Sequence, residues 1–163
     1  MFGPAFWLYQ AASMWPQKEA VLDEEVSLSF EVLYRDAMGI AKWLSTEGKA
    51  GQRVMIVMPS SVSSAIFYFG AMFAGKVAVP IDPFLIPEQL ESIRREIDPR
   101  WVFGPSTLKK IWNDSRFLTA DGYGDLSQWM SPSKQSRDLL PLDDDQSRLL
   151  NIVYTSGTTG QPN

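Results

Sequence analysis

Four hydroxyl side chains and two glycines sit together at Tyr154-Thr155-Ser156-Gly157-Thr158-Thr159-Gly160-Gln161-Pro162-Asn163. They directly follow the apolar run Leu149 to Tyr154. Glycine lets the backbone turn so that successive N–H groups converge on an anion. Serine and threonine hydroxyls add donors to phosphate oxygens and can ligate Mg²⁺. A loop of this composition can cradle a polyphosphate. Its spacing is not that of the common phosphate loops. A Walker A loop needs four residues between its glycines and then Lys with Ser or Thr, and the dinucleotide fingerprint needs GxGxxG. Here two residues separate Gly157 from Gly160, and no lysine follows.

Other chemistry is excluded by composition. The 163 residues contain no cysteine and no histidine, so thiol nucleophiles, disulfides, Ser-His-Asp hydrolysis and the HExxH zinc site are unavailable within the chain. The net charge is −4 and no basic patch stands out, so nucleic acid is not an expected partner. Asp143-Asp144-Asp145 reads as a solvated loop rather than a metal site, and no metal ligand set is expected. Gly122-Tyr123-Gly124-Asp125 reads as a turn, and Arg94 and Arg95 as the exposed face of a helix. The six tryptophans are scattered along the chain, as expected for packing, and Phe67, Tyr68, Phe69 and Phe73 read as core or interface. The N-terminus lacks the basic segment of a secretory signal, and the apolar stretch Ala65 to Gly75 is too short to span a membrane. A cytoplasmic location is expected.

The loop needs a scaffold, and the remaining pattern supplies one. Trp7 to Ser13 predicts a short helix, Ala20 to Leu22 and Val26 to Leu28 two strands joined at Asp23-Glu24-Glu25. Phe30, Leu33, Tyr34, Ala37, Ile40, Ala41 and Leu44 form a helical stripe, with Ser29 as its N-cap and Gly48 as a positive-φ residue past its end. Val54 to Met58 is apolar on both faces, as in a central parallel strand. Ser60 or Ser61 caps a buried helix running to about Gly75, and Val77 to Ile81 is a strand whose Pro80 belongs near an end or an edge. Pro87 opens a helix closed by Asp98-Pro99. Trp101 to Phe103 and Phe117 to Thr119 are strands, and Pro105 to Trp112 is helical. Residues 120–148 read as a surface connection before a last strand, Leu149 to Tyr154. The alternation predicts an α/β fold, a mostly parallel sheet with helices on both faces.

The string Tyr154 through Gly160, with Pro162, resembles the phosphate-loop signature of the adenylate-forming superfamily of acyl-CoA synthetases, nonribosomal-peptide adenylation domains and luciferases. That signature is an aromatic residue, TSG, Ser or Thr, TG, any residue, then PKG. Two upstream blocks agree in order. Leu28-Ser29-Phe30-Glu31-Val32-Leu33 is similar to the family's first core motif, with Val32 where Glu is common. Ala71 to Pro83 is similar to the second. The resemblance runs from about Trp7 to Asn163, and it identifies residues 1–163 as the N-terminal subdomain of such an enzyme.

The resemblance implies that a carboxylic acid attacks the α-phosphate of Mg·ATP, giving an acyl-adenylate and pyrophosphate, with CoA or a carrier-protein pantetheine as later acceptor. It assigns ATP phosphate binding to Thr155, Ser156, Gly157, Thr158, Thr159 and Gly160, with Thr158 and Thr159 the foremost contacts. Asn163 stands where the family usually has Lys, which removes a positive charge. In the family, the acyl pocket, the adenine contacts, the Mg²⁺ carboxylate and the adenylation lysine follow this loop, so no catalytic residue is expected in this chain. The expectation is a truncated fragment, inactive alone, that needs its C-terminal part or a complementing chain. The alternatives are a non-catalytic α/β interaction module and one half of a split ligase.

Overall fold

The structure, a computed structural model, describes residues 3–109, 112, 115–130 and 149–154. Helix α1 (Pro4–Met14) leads into an antiparallel pair, β1 (Glu19–Leu22) and β2 (Ser27–Ser29). The turn between them is organised by Asp23. Its Oδ1 accepts from the amides of Glu25 and Val26, and its Oδ2 accepts from the amide of Val62 at 2.8 Å. Val62 is the first residue of helix α3 (Val62–Phe73), so one carboxylate closes a turn and also caps a helix 39 residues later. The Val62 bond, above all, holds the Asp23 carboxyl below its ordinary pKa.

Helix α2 (Phe30–Thr46) starts where Ser29 Oγ accepts from the Val32 amide. It buries Leu33, Ala37, Ile40, Ala41 and Leu44, the stripe read from the sequence. Asp36 is buried on the same helix, held by Arg35 Nε at 2.9 Å and by the Tyr123 hydroxyl at 2.6 Å. Burial first, then the bond to Asp36, pushes the Tyr123 phenol up to about 12, so it stays a donor. Gly48 does not take the expected positive φ. Among the described residues that conformation falls to Gly51, Gly75 and Asp98. A Cβ on Gly48 would lie 2.6 Å from the Trp101 ring and would collide with the Gln52 side chain. Glycine at 48 serves close approach rather than backbone reversal.

Four parallel strands follow, β3 (Arg53–Val57), β4 (Val77–Ile81), β5 (Trp101–Gly104) and β6 (Phe117–Thr119), in the order β4-β3-β5-β6. As the apolar run of Val54 to Met58 predicts, β3 is central and buried on both sides. Its alternate residues point to opposite faces. Val54 and Ile56 join a core with α1, α2 and α3, while Met55 and Val57 join one with helix α4 (Pro87–Ile97). Helices thus cover both faces of a parallel sheet. Ser61 and Ser64 cap α3 reciprocally, a capping box. Gly70 lets α3 approach α2, since a Cβ there would sit 2.7 Å from Ile40.

Two further sequence readings change after β5. The short helix after β5 is α5 (Ser106–Lys109), and the Trp112 amide donates to the Leu108 carbonyl at 3.0 Å. The beginning of the expected surface connection is not all surface. Ala120, Leu126 and Trp129 are buried, the last two in and just after a 3-10 helix (Tyr123–Gln128). Trp129 packs edge-on against Phe67 and Phe103, themselves stacked with centroids 4.0 Å apart, and lies 6.3 Å from Trp43. The scattered aromatics therefore converge in space. Residues 131–148, including Asp143-Asp144-Asp145, lie outside the described residues.

Candidate nucleotide-loop site

The segment that carries the hydroxyl-rich loop is described as far as Tyr154. Thr155, Ser156, Gly157, Thr158, Thr159, Gly160, Gln161, Pro162 and Asn163 lie outside the described residues. The approach is a parallel bridge between Asn151 and Ala78 of β4. The Ala78 amide donates to the Leu150 carbonyl and the Ile152 amide donates to the Ala78 carbonyl, each at 3.0 Å. The expected strand Leu149 to Tyr154 is thus reduced to a single rung pair. The next outward-facing position of a parallel ladder would be Pro80, which has no N–H to offer Ile152. Pro80 does fall at a limit of pairing, as its chemistry predicts, but on the flank of β4 that receives the loop segment.

Side chains reinforce the single bridge. Asn151 Nδ2 donates to the Tyr68 hydroxyl at 3.1 Å, tying the segment to α3. Tyr68 is half-buried, which raises its phenol above the ordinary value. Ile152 and Tyr154 pack against the core beneath α4. The Tyr154 phenol is raised by burial first and then by the neighbouring Glu96 carboxylate, with Arg53 acting in the opposite sense.

The two upstream motif blocks make the frame rather than the chemistry. Leu28 is buried and Ser29 caps α2. The block Ala71 to Pro83 forms the end of α3, the Gly75 turn (φ 66°) and β4, including the Ala78 that receives the loop segment. Within it Lys76 is buried, with Nζ donating to the Lys49 carbonyl at 2.7 Å and lying 5.2 Å from the Trp101 ring centroid. The sequence reading missed both Lys76 and the Tyr68–Asn151 bond. A lone lysine inside an apolar run was the signal for the first. The second joins residues 83 positions apart and leaves no local signal. Arg94 and Arg95 both pair with Glu91 on α4, but only Arg95 lies on the exposed face; its side chain is 77% exposed and that of Arg94 20%. Among the described residues no three acidic side chains gather as a metal site, and no helix is long and apolar enough to cross a membrane.

Comparison with known proteins places this frame. The family model described as AMP-binding enzyme matches residues 8–163. The long-chain-fatty-acid–CoA ligase FadD13 of Mycobacterium tuberculosis is 29% identical over 166 residues, covering 95% of this chain and 33% of the relative. The syringomycin synthase SyrB1 of Pseudomonas syringae pv. syringae is 30% identical over 153 residues, covering 93% of this chain and 24% of the relative. The chain therefore spans a third or less of the length of these curated relatives. In fold, it superposes on the inhibitor-bound N-terminal domain of FACL13 from Mycobacterium tuberculosis with a TM-score of 0.80 at 24% identity, over 99% of this chain and 43% of that one. With the parallel sheet, the covering helices and both upstream blocks in place, the chain belongs to the AMP-binding enzyme family and corresponds to the N-terminal portion of an adenylate-forming enzyme.

Proposed function

We propose that this chain supplies the ATP phosphate-binding loop of a ligase that activates a carboxylic acid as its acyl-adenylate. The observation that carries this reading is the sequence Tyr154 to Gly160 with Pro162, borne by a segment bridged in parallel to β4. The hydroxyls of Thr155, Ser156, Thr158 and Thr159 and the N–H groups of Gly157 and Gly160 are the right donors for β- and γ-phosphate oxygens. Holding those phosphates fixes the α-phosphorus for attack by the carboxylate. Positioning and charge stabilisation account for most catalysis of this kind. Mg²⁺ accompanies the nucleotide and neutralises phosphate charge. Asn163 offers a hydrogen bond without the charge of a lysine.

Residues 1–163 act in this reading as one N-terminal subdomain of a cytoplasmic ligase. CoA or a carrier-protein pantetheine then takes the acyl group. The chain does not adenylate by itself, because no residue in it is assigned to bind the acid or the adenine. A second reading is one half of a split ligase completed by another chain; the exposure of Trp7, Leu22, Phe84 and Ile86, each more than half exposed, fits it and the first reading alike, against a self-contained interaction module.

Titration of the chain with Mg·ATP, run beside a pyrophosphate-release assay with a panel of acids, tests the reading. Saturable ATP binding is expected, weakened about tenfold by Thr158→Ala or Thr159→Ala, as for loss of a hydrogen bond to a charged group. Acid-dependent pyrophosphate release by the pure chain would overturn the inactivity. ATP binding indifferent to both threonines would overturn the loop assignment.

A further inference from the structure

We propose that Tyr68 and Asn151 are positioning residues for the phosphate loop. The bond between them braces the stem of the loop and, through it, sets the affinity for the nucleotide. The inference rests on the loop reading above and adds to it two residues that lie outside the motif.

The stem, Leu149 to Tyr154, is lightly held by its backbone. Its bridge to β4 consists of two bonds at Ala78, and Pro80 offers no N–H further along. Burial adds little at Leu149 and Val153, both more than half exposed. Asn151 sits at the bridge itself, opposite Ala78. Asparagine is a poor strand residue, because its side chain competes with the ladder for backbone partners. Its place is explained by what the side chain reaches. Asn151 Nδ2 donates to the Tyr68 hydroxyl at 3.1 Å, across 83 positions of sequence.

Tyr68 is the matching half. It lies on α3 beside Phe67 and Phe69 and packs half-buried against the same core. A phenylalanine would supply the same ring, so the hydroxyl is what tyrosine adds, and a half-buried hydroxyl calls for a partner. The anchor is firm. Helix α3 is fixed at its start by the Ser61–Ser64 capping box and by the Asp23 bond to the Val62 amide, less than two turns before Tyr68. The bond therefore ties a rigid helix to a lightly attached strand, and Thr155 follows Asn151 by four residues. Ordering a loop on binding costs affinity, and a stem fixed in advance lowers that cost.

The test is calorimetric titration of the 163-residue chain with Mg·ATP, beside amide relaxation NMR of the free chain. Tyr68→Phe and Asn151→Leu each remove the bond with little change of shape. Each should weaken Mg·ATP binding about fivefold, within the range of one neutral hydrogen bond. The double variant should lose no more than either single one, because both delete the same bond. The order parameter of the Tyr154 amide should fall in both single variants. A bond of structural value alone would lower the melting temperature and leave Kd and the Tyr154 amide as they were, and that result would overturn the proposal. So would losses that add in the double variant. Thr158→Ala separates this inference from the loop reading. If it weakens binding and Tyr68→Phe does not, the positioning role fails and the loop stands. If the unmodified chain binds no Mg·ATP, or Thr158→Ala binds it equally, the loop reading fails. The Tyr154 amide still decides the brace in that case: an order parameter unmoved by Tyr68→Phe overturns it, and one that falls supports it.

Discussion

The two flanks of β4 are built from one strand and differ completely. On its inner flank, five consecutive residues pair with β3, from Arg53 opposite Val77 to Val57 opposite Ile81. On its outer flank, the apolar segment Leu149 to Tyr154 makes one bridge, at Ala78. The inner neighbour is buried from Val54 to Val57, whereas Leu149 and Val153 of the outer one are more than half exposed. A second difference lies in the availability of donors. Pro80 faces Ile56 in the inner register, where a parallel ladder takes its bonds from alternate residues and asks Pro80 for no N–H. On the outer side the same proline removes the second rung. The inner flank is therefore structural, and the outer flank is a light attachment for the segment that leads to the loop.

The largest effect should come from breaking the inner flank. Ile56 is 2% exposed beneath Pro80's register, and Ile56→Ala should cost about 2–5 kcal/mol in urea unfolding. A much smaller effect is expected on the outer flank. Tyr68→Phe deletes the hydroxyl that receives Asn151 Nδ2 and should cost about 0.5–1.5 kcal/mol. Amide exchange should quicken at Ile152 and Ala78 while Met55 and Ile56 stay protected. Equal acceleration at all four would show that the flanks are one cooperative unit.

Pro80→Ala sharpens the comparison directly. It restores a donor worth about 0.5–1.5 kcal/mol and loosens the unfolded chain by about 0.4–1 kcal/mol, so net stability should hardly move. The readout is exchange. The amide at position 80 should be protected if the missing rung forms, and unprotected if the outer flank is limited by something else.

The smallest expected effect is at α4, which covers the face where Ile152 and Tyr154 rest. Arg94, first of all, and Arg95 hold the Glu91 carboxyl down at about 2, against an ordinary 4.5. A depressed carboxylate contributes stability that is complete above its unfolded pKa and is lost as pH falls through the folded one. Melting temperature should therefore decline from about pH 4.5 toward about pH 2, and Glu91→Gln should flatten part of that decline. Asp23 acts with the same sign.

Much of this frame was legible from residue types alone. The α2 stripe with its Ser29 cap, the doubly buried β3, and the helix opened by Pro87 each follow from a periodicity or a cap within a few residues. What escaped was non-local or unpatterned. Leu126 and Trp129 are core anchors set among Gly, Asp, Ser and Gln, with too few apolar neighbours to show a period. Asp23 looked like a turn residue, and nothing near it announces that Val62 will arrive beside it. At the candidate site the motif itself was readable from Tyr154 to Gly160. The Tyr68–Asn151 tie, which links α3 to the segment leading to that motif, was not.

The triple bond set of Asp23 also bears on the order of assembly. The turn between β1 and β2 is local, its two Asp23 bonds reaching only two and three residues ahead. Once formed, it presents a carboxylate already aligned by two amides, and the third donor, Val62, arrives from 39 residues away at the nucleating end of α3. Starting a helix is its slow, costly step. If the hairpin forms first, it offers α3 a template, and Asp23→Ala should then slow refolding more than it speeds unfolding.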